Sequence, residues 1–506
     1  MLFDFPLQDY AARNPWSTRF ASLLLGAATT LSFAPAGWFL LAPALVLLLL
    51  FAFFRCPPRQ AAQLGFAFGA GLFLAGTSWL YVSIRVFGQA PAVLAICLML
   101  GLVVIMALYY AGTGWLAAYL SGGVLWRFVI VAPAAWVALE WLRGWFLSGF
   151  PWMTLGYSQI DSALAGYAPL IGVFGVSLML MISVSALLAA LLSPPRPRLL
   201  YLLIAALPWL GGGALGSVGW TVASGPVVRA TIVQGGVSQD RKWLREEFRP
   251  TLELYRSSLE EHADSDLVLW PEVAIPSVLD LVESYVAELQ HDVAASDTML
   301  LFGILERDDS GDQVYNSVVA IDGSSRQVYR KRHLVPFGEF FPVPDFIREW
   351  MRMMNLPYSD ISAGEQRQAL LRMPDGNKLA VAICYEDAYG AEQRYAFPDA
   401  GIIINVSNDA WFGDSIAPHQ HLQIARMRAL EAGRDVVRAT NNGVSAFIGA
   451  DGGLIESGPQ FEFLQMTHDV VPRSGSTPYQ VHGNWPVIGL ALAVLSWFGW
   501  RSRSRK

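Results

Sequence analysis

Eight apolar runs, near residues 20–34, 37–54, 62–82, 91–120, 128–147, 166–193, 199–218 and 485–500, constrain this chain more than any other feature. A helix that crosses the hydrocarbon of a bilayer needs about 20 apolar residues, fewer where interfacial side chains help. In lipid its backbone must satisfy its own hydrogen bonds, and a helix does so within one segment. The expectation is a multi-pass α-helical membrane bundle, with seven spans in residues 1–218 and an eighth in 485–506. The first run does not read as a cleaved signal peptide. Asp4 and Asp9 spoil a basic leader, and the second run follows almost at once.

Residues 219–484 differ in kind. Thirteen of the 35 basic residues but only four of the 41 acidic ones lie outside 220–484, which leaves 22 basic and 37 acidic residues inside it. So acidic a segment lacks the basic footprint that nucleic acid requires. Lys and Arg in short loops set the membrane orientation. With the N-terminus inside, Arg13, Arg19, Arg55, Arg59, Arg127, Arg196, Arg198, Arg501, Arg503, Arg505 and Lys506 fall on the cytoplasmic side, and only Arg85 falls in a short outer loop. Both termini are then cytoplasmic. Residues 219–484 face outward, into the periplasm if the membrane is a bacterial inner membrane. Within the fifth run, Glu140 and Arg143 stand three apart and share a helix face. They read either as a structural pair or as part of a pathway. Phe150 and Trp152, just beyond, suit the lipid headgroup level.

From residue 228 onward the pattern shortens. Val228–Val233, Leu267–Trp270, Met299–Leu305, Val314–Ile321, Leu379–Ile383, Ile402–Val406 and Ala446–Ile448 are buried-strand candidates, with helices over about 243–262 and 418–434. Strands interleaved with helices predict a layered α/β domain. Glu272, Lys331 and Cys384 each follow such a strand end, where sites collect in open α/β sheets.

Cys384 is the one cysteine of this segment. It is either a small buried hydrophobe or a thiol in use. Only a few per cent of an ordinary thiol is ionised at neutral pH, so a nucleophilic cysteine needs a base or a nearby cation. Glu272 suits the proton transfer better than His333, which lies in the basic stretch beside Lys331. Lys331 suits thiolate and oxyanion stabilisation, with the main-chain N–H of Tyr385 as a second donor. Taken singly, Glu272, Glu339 and Glu386 also read as caps or solvated acids, Lys331 as a solvated face, and Trp243 and Trp411 as core or interface.

Three motifs then occur in order: Trp270-Pro271-Glu272, Tyr329-Arg330-Lys331-Arg332-His333-Leu334 and Ile383-Cys384-Tyr385-Glu386. They resemble the nitrilase superfamily, whose fold is an α-β-β-α sandwich and whose triad is Glu–Lys–Cys. His333-Leu334-Val335-Pro336-Phe337-Gly338-Glu339 and Ser407-Asn408-Asp409-Ala410-Trp411-Phe412-Gly413, with the order of spans and domain, resemble its membrane-bound branch, the apolipoprotein N-acyltransferases. That resemblance implies Glu272 as general base, Lys331 as oxyanion stabiliser, Cys384 as nucleophile and Glu339 as the group that orients Lys331. Tyr385, Glu386, Trp243 and Trp411 match family positions near the pocket or its mobile arms. It further implies a phospholipid acyl donor, a diacylglyceryl apolipoprotein acceptor and the bilayer as partners, with no cofactor and no metal. Phe337–Met354 reads as an apolar arm toward the membrane or as a core segment. Two other classes remain open here: a membrane-tethered amidase that gives its thioester to water, and a transporter with an accessory domain.

Overall fold

The computed structural model describes residues 14–308, 310–340 and 361–503. Most of the expected arm, residues 341–354, lies outside them, as do Arg13, Arg505 and Lys506. The chain divides into two compact units, one of residues 1–219, 414–423 and 481–506 and the other of 220–413 and 424–480. Residues 414–423, expected within the α/β domain, group with the helical unit.

Every apolar run is helical in the first unit. The helices are Pro15–Thr29, Leu41–Arg55, Pro58–Gly76, Ala92–Ser121, Leu125–Arg143, Ala168–Leu192, Pro195–Leu215 and Trp485–Arg503. Among the described residues, four helices are long and apolar enough to cross a membrane alone, and Pro58–Gly76 with the bent continuation Trp79–Phe87 makes a fifth. Small residues let these helices approach. A Cβ on Gly71 would lie 1.9 Å from the carbonyl oxygen of Leu23, and one on Gly65 would lie 2.1 Å from that of Tyr110.

Glu140 and Arg143 do not pair with each other. Both are buried, and both grip the loop after their helix. Glu140 accepts the N–H of Leu155 at 2.7 Å, while Arg143 donates to the carbonyl of Trp152 at 2.6 Å and to Thr154 Oγ1 at 3.2 Å. Trp152 is not an interfacial residue, as expected from its sequence context, but a buried one. Its indole N–H donates to Gln420 Oε1 at 2.7 Å, and its ring packs on Phe150 and Trp79. A loop that must bury its backbone in an apolar unit needs partners for its carbonyls, and Arg143 supplies them.

The second unit holds two six-stranded sheets. One runs in the order Leu464–Val470, Val228–Gln234, Leu267–Leu269, Met299–Arg307, Val314–Ile321, Arg326–Arg330. The other runs Leu454–Ser457, Ala446–Ile448, Val436–Thr440, Ile402–Ser407, Lys378–Ile383, Leu371–Arg372. Side chains alternate at period two. Ile232, Leu269, Leu301, Val381, Ile383 and Ile404 fill the layer between the sheets. Val268, Leu300 and Phe302 face outward and pack under helices Arg245–Glu261 and Glu283–Ser296. This is the expected nitrilase-like α/β sandwich. The sequence reading overlooked Leu464–Val470, an edge strand whose alternating polar residues hide its apolar face, and Val436–Thr440, which follows the Ala417–Ala432 helix almost directly.

Candidate active site

Strand ends bring the chemistry together. Leu267–Leu269 runs parallel to Met299–Arg307, and the chain turns after it so that Glu272 lies against Gly303. A Cβ at Gly303 would lie 2.6 Å from the Glu272 Cα, so only glycine admits this turn. Val273, next in the chain, takes φ +48°. Lys331 follows strand Arg326–Arg330, and its N–H donates to the carbonyl of Asn316 on the neighbouring strand at 2.8 Å. Cys384 follows Lys378–Ile383 with φ +52°, a left-handed conformation that costs a non-glycine residue energy and concentrates at functional sites.

The Lys331 ammonium is buried and lies between two carboxylates, 3.3 Å from Glu272 Oε1 and 2.9 Å from Glu339 Oε1. Burial alone would favour the neutral amine, but Glu272 and Glu339 outweigh it and hold Lys331 charged, above the ordinary lysine range. Asn316 bridges the same two carboxylates, its amide donating at 2.8 Å to Glu272 and at 2.9 Å to Glu339. The second Glu272 oxygen accepts the N–H of Asn408 at 2.8 Å, and the second Glu339 oxygen that of Val335 at 2.9 Å. Both acids are thus immobilised.

Burial pushes the Cys384 thiol well above the ordinary cysteine range, and the Glu272 charge adds to it, with Lys331 opposing. At rest the sulfur keeps its proton. A nearby carboxylate is what such a thiol needs, because proton transfer to Glu272 removes the negative charge that disfavours the thiolate.

Glu386 is buried and turned toward main chain. It accepts the N–H groups of Ile383 at 2.8 Å and Arg332 at 2.7 Å, and the Tyr329 hydroxyl at 3.1 Å. Burial raises its carboxyl, against the lowering effect of Arg332. Tyr385 packs edge-on against His333 and Tyr389, with ring centres 5.7 and 5.2 Å away. His333 is held by Glu392 at 3.0 Å and stacked on Tyr389. Trp243 and Trp411 remain exposed, at 54% and 42%. The structure thus joins Glu272, Lys331, Glu339 and Cys384, sets Tyr385 and Glu386 behind them, and leaves the two tryptophans at the surface. Sequence reasoning passed over Asn316 and Lys242, and met Asn408 only as part of a motif. A lone Asn inside the apolar run Val314–Ile321 was the available signal, since a buried amide needs a partner. Among the described residues no cluster of three or more His, Cys, Asp or Glu side chains suits a metal ion.

Residues 25–187 match the family model described as the apolipoprotein N-acyltransferase N-terminal domain, and residues 229–473 match that of the carbon-nitrogen hydrolases. The chain is 42% identical over 466 residues to an apolipoprotein N-acyltransferase of Methylococcus capsulatus, covering 92% of each chain. It is 39% identical to those of Nitrosomonas europaea, covering 95% of this chain and 97% of the relative, and of Azotobacter vinelandii, covering 98% of each.

Proposed function

The chain belongs to the apolipoprotein N-acyltransferase family, and from that premise we propose how its site works. It is a membrane-bound acyltransferase that N-acylates lipoproteins. The observation that carries the mechanistic reading is the Lys331 ammonium held between Glu272 and Glu339 beside the Cys384 turn.

Glu272 takes the proton of the Cys384 thiol, and the sulfur attacks the sn-1 ester carbonyl of a phospholipid. Lys331, with the N–H of Tyr385, stabilises the oxyanion that forms. Collapse of the intermediate expels the lysophospholipid oxygen, which takes the proton from Glu272 and leaves the acyl group on sulfur as a thioester. The α-amino group of the diacylglyceryl cysteine at the N-terminus of an apolipoprotein then attacks the thioester. Glu272 receives the amine proton and returns it to the departing thiolate, and the amide is complete. Glu339 orients Lys331 through its 2.9 Å contact. Glu386 positions the main chain on either side of the site, Tyr385 packs behind it, and the exposed rings of Trp243 and Trp411 meet lipid substrate.

We place eight spans in the inner membrane of a bacterium, with residues 219–484 in the periplasm and both termini in the cytoplasm. The Arg-rich short loops support this orientation. A tethered amidase shares the triad but has no use for an N-terminal domain of the acyltransferase type, which matches here over residues 25–187. A transporter has no use for the buried network around Cys384. Mass spectrometry of the purified protein after incubation with phospholipid tests the reading: an acyl increment on Cys384 supports it, and its absence under conditions of turnover sinks it.

A further inference from the structure

Arg438 lies on strand Val436–Thr440, which pairs with Ile402–Ser407, which in turn pairs with Lys378–Ile383. The registers set Arg438 level with Asn405, and Asn405 level with Ala382. Val437, Ile404 and Val381, next to them in the chain, fill the layer between the sheets, so by alternation this row faces the other way. Arg438 is nonetheless buried, as are Asp387 and Asp409. Its guanidinium donates to Asp409 Oδ2 at 2.9 Å and to Asn405 Oδ1, and lies at an ion-pair distance of 3.8 Å from Asp387 Oδ2.

Each of these partners belongs to a segment that carries the site. Asp387 sits in the turn Cys384–Ala388. Asn405 Nδ2 donates to the carbonyl of Ala382 at 3.2 Å, on the strand that leads into Cys384. Asp409 follows Asn408, whose main-chain N–H donates to Glu272 Oε2 at 2.8 Å. The other Asp409 oxygen accepts the Ser407 hydroxyl at 2.8 Å. A Cβ at Gly443 would lie 2.4 Å from Asp409 Oδ2, so a further loop closes directly onto this carboxylate.

A buried ion pair adds little stability over apolar residues of the same volume. Joining several acceptors at fixed angles is what a planar guanidinium does and an apolar side chain does not. The left-handed backbone of Cys384 calls for such support, because a strained conformation persists only where its surroundings over-determine it.

We infer that Arg438 is a positioning residue of the acyl transfer: its guanidinium clamps the Cys384 turn to the Ser407–Asp409 segment and so fixes the nucleophile relative to the Asn408 N–H that holds Glu272. The inference rests on the reading of Cys384 as nucleophile and Glu272 as general base.

The test uses the full-length protein in detergent with phosphatidylethanolamine carrying an alkyne-tagged sn-1 chain, and follows thioester formation through a single turnover at saturating lipid. The amplitude counts folded, competent enzyme, and the rate constant reports the alignment of the reacting groups. A merely structural arginine moves the amplitude and the unfolding temperature but not the rate constant. Arg438→Lys keeps the buried charge but cannot span the three partners. Arg438→Met combined with Asp387→Asn and Asp409→Asn removes the clamp and leaves no buried charge of the cluster unpaired. In both, the rate constant falls by about tenfold or more, the scale of a small misplacement of reacting groups. A rate constant within about twofold of the parent value in either variant overturns the proposal, whatever the amplitude. Thermal unfolding identifies a variant that fails to fold, and the other then decides. A parent protein that forms no thioester on Cys384 under conditions of turnover removes the reading beneath the inference, and both fail. A parent thioester with unchanged rate constants in the variants sinks the role of Arg438 alone.

Discussion

Glu386 accepts the main-chain N–H of Arg332 at 2.7 Å, one residue beyond Lys331. Its other oxygen accepts the N–H of Ile383, one residue before Cys384. A single carboxylate thereby ties the chain next to Lys331 to the chain next to Cys384. Glu386→Gln retains one carbonyl acceptor but turns an amide N–H₂ toward a main-chain donor. The expected result is a loss of about 1–3 kcal/mol of stability, the cost of a buried donor left unpaired. Acyl-enzyme formation falls with it. Thermal unfolding and thioester yield, measured on the same preparation, check this; wild-type values in both would remove Glu386 from the site's framework.

Asn316 is the amide between Glu272 and Glu339, at 2.8 and 2.9 Å. A hydrogen bond to a charged group is worth about 1.5–3 kcal/mol. Asn316→Leu removes two of them from acids that must stay in place, so the rate of acyl-enzyme formation should fall by roughly tenfold or more. Asn316→Asp puts a third carboxylate beside the first two and should be worse than Leu. Single-turnover kinetics with a tagged phospholipid give the order, and Asp outperforming Leu would contradict it.

The raised Cys384 thiol yields a prediction in which chemistry and reactivity part. Glu272 is one of the causes of the rise and Lys331 opposes it. Glu272→Gln should therefore lower the thiol toward its ordinary value and speed alkylation by iodoacetamide near neutral pH, while abolishing acyl transfer. Lys331→Ala should slow alkylation and transfer together. In the parent protein alkylation should accelerate as the pH rises, since only the thiolate reacts. Labelling rates followed by mass spectrometry decide the matter. Slower labelling in Glu272→Gln would mean that proton removal by the carboxylate outweighs its charge in setting the reactivity of the thiol. Cys384→Ala should show no labelling at that position and no thioester, yet unfold as the parent does.

One thiol serving two bulky lipids implies ping-pong order. Phospholipid alone should release about one equivalent of lysophospholipid per enzyme and then stall, with double-reciprocal plots parallel once acceptor is added. Continued release without acceptor would indicate hydrolysis, and intersecting lines a ternary complex.

Arg143 holds the loop that carries Trp152 through the Trp152 carbonyl and Thr154 Oγ1. A point-like ammonium cannot reproduce the fork of a guanidinium. Arg143→Lys should lower the unfolding temperature of the whole protein, and Arg143→Met by more, since it leaves buried carbonyls without donors. Equal unfolding temperatures for Lys and Met would show that the charge matters and the fork does not.

How much of this was legible beforehand varies by residue. Glu272, Lys331 and Cys384 stand at strand ends in recognisable triplets, so their candidacy was local information. Asn408 was visible only as part of a motif, and nothing near it in the chain says that its N–H holds a carboxylate 136 positions away. Trp152 looked interfacial because a tryptophan beside a span usually is. Its buried indole N–H finds its acceptor on Gln420, 268 residues on. Nothing in the chain around Lys242 marks it as the donor to the Glu272 carbonyl.

The division has a physical cause. Membrane helices, the alternation of strands and the residues at strand ends follow from periodicity and the length of apolar runs, which are properties of neighbours along the chain. Sequence alone therefore determined the helical unit, the layered α/β domain and the candidate residues at the strand ends. Which lone pairs meet which N–H groups is decided when strands pair and the sandwich closes. Only tertiary structure could set two carboxylates on one lysine, bridge them with Asn316, and put Lys242 under the Glu272 carbonyl. A buried charge is tolerable only with partners, and those partners come from segments that the chain keeps far apart.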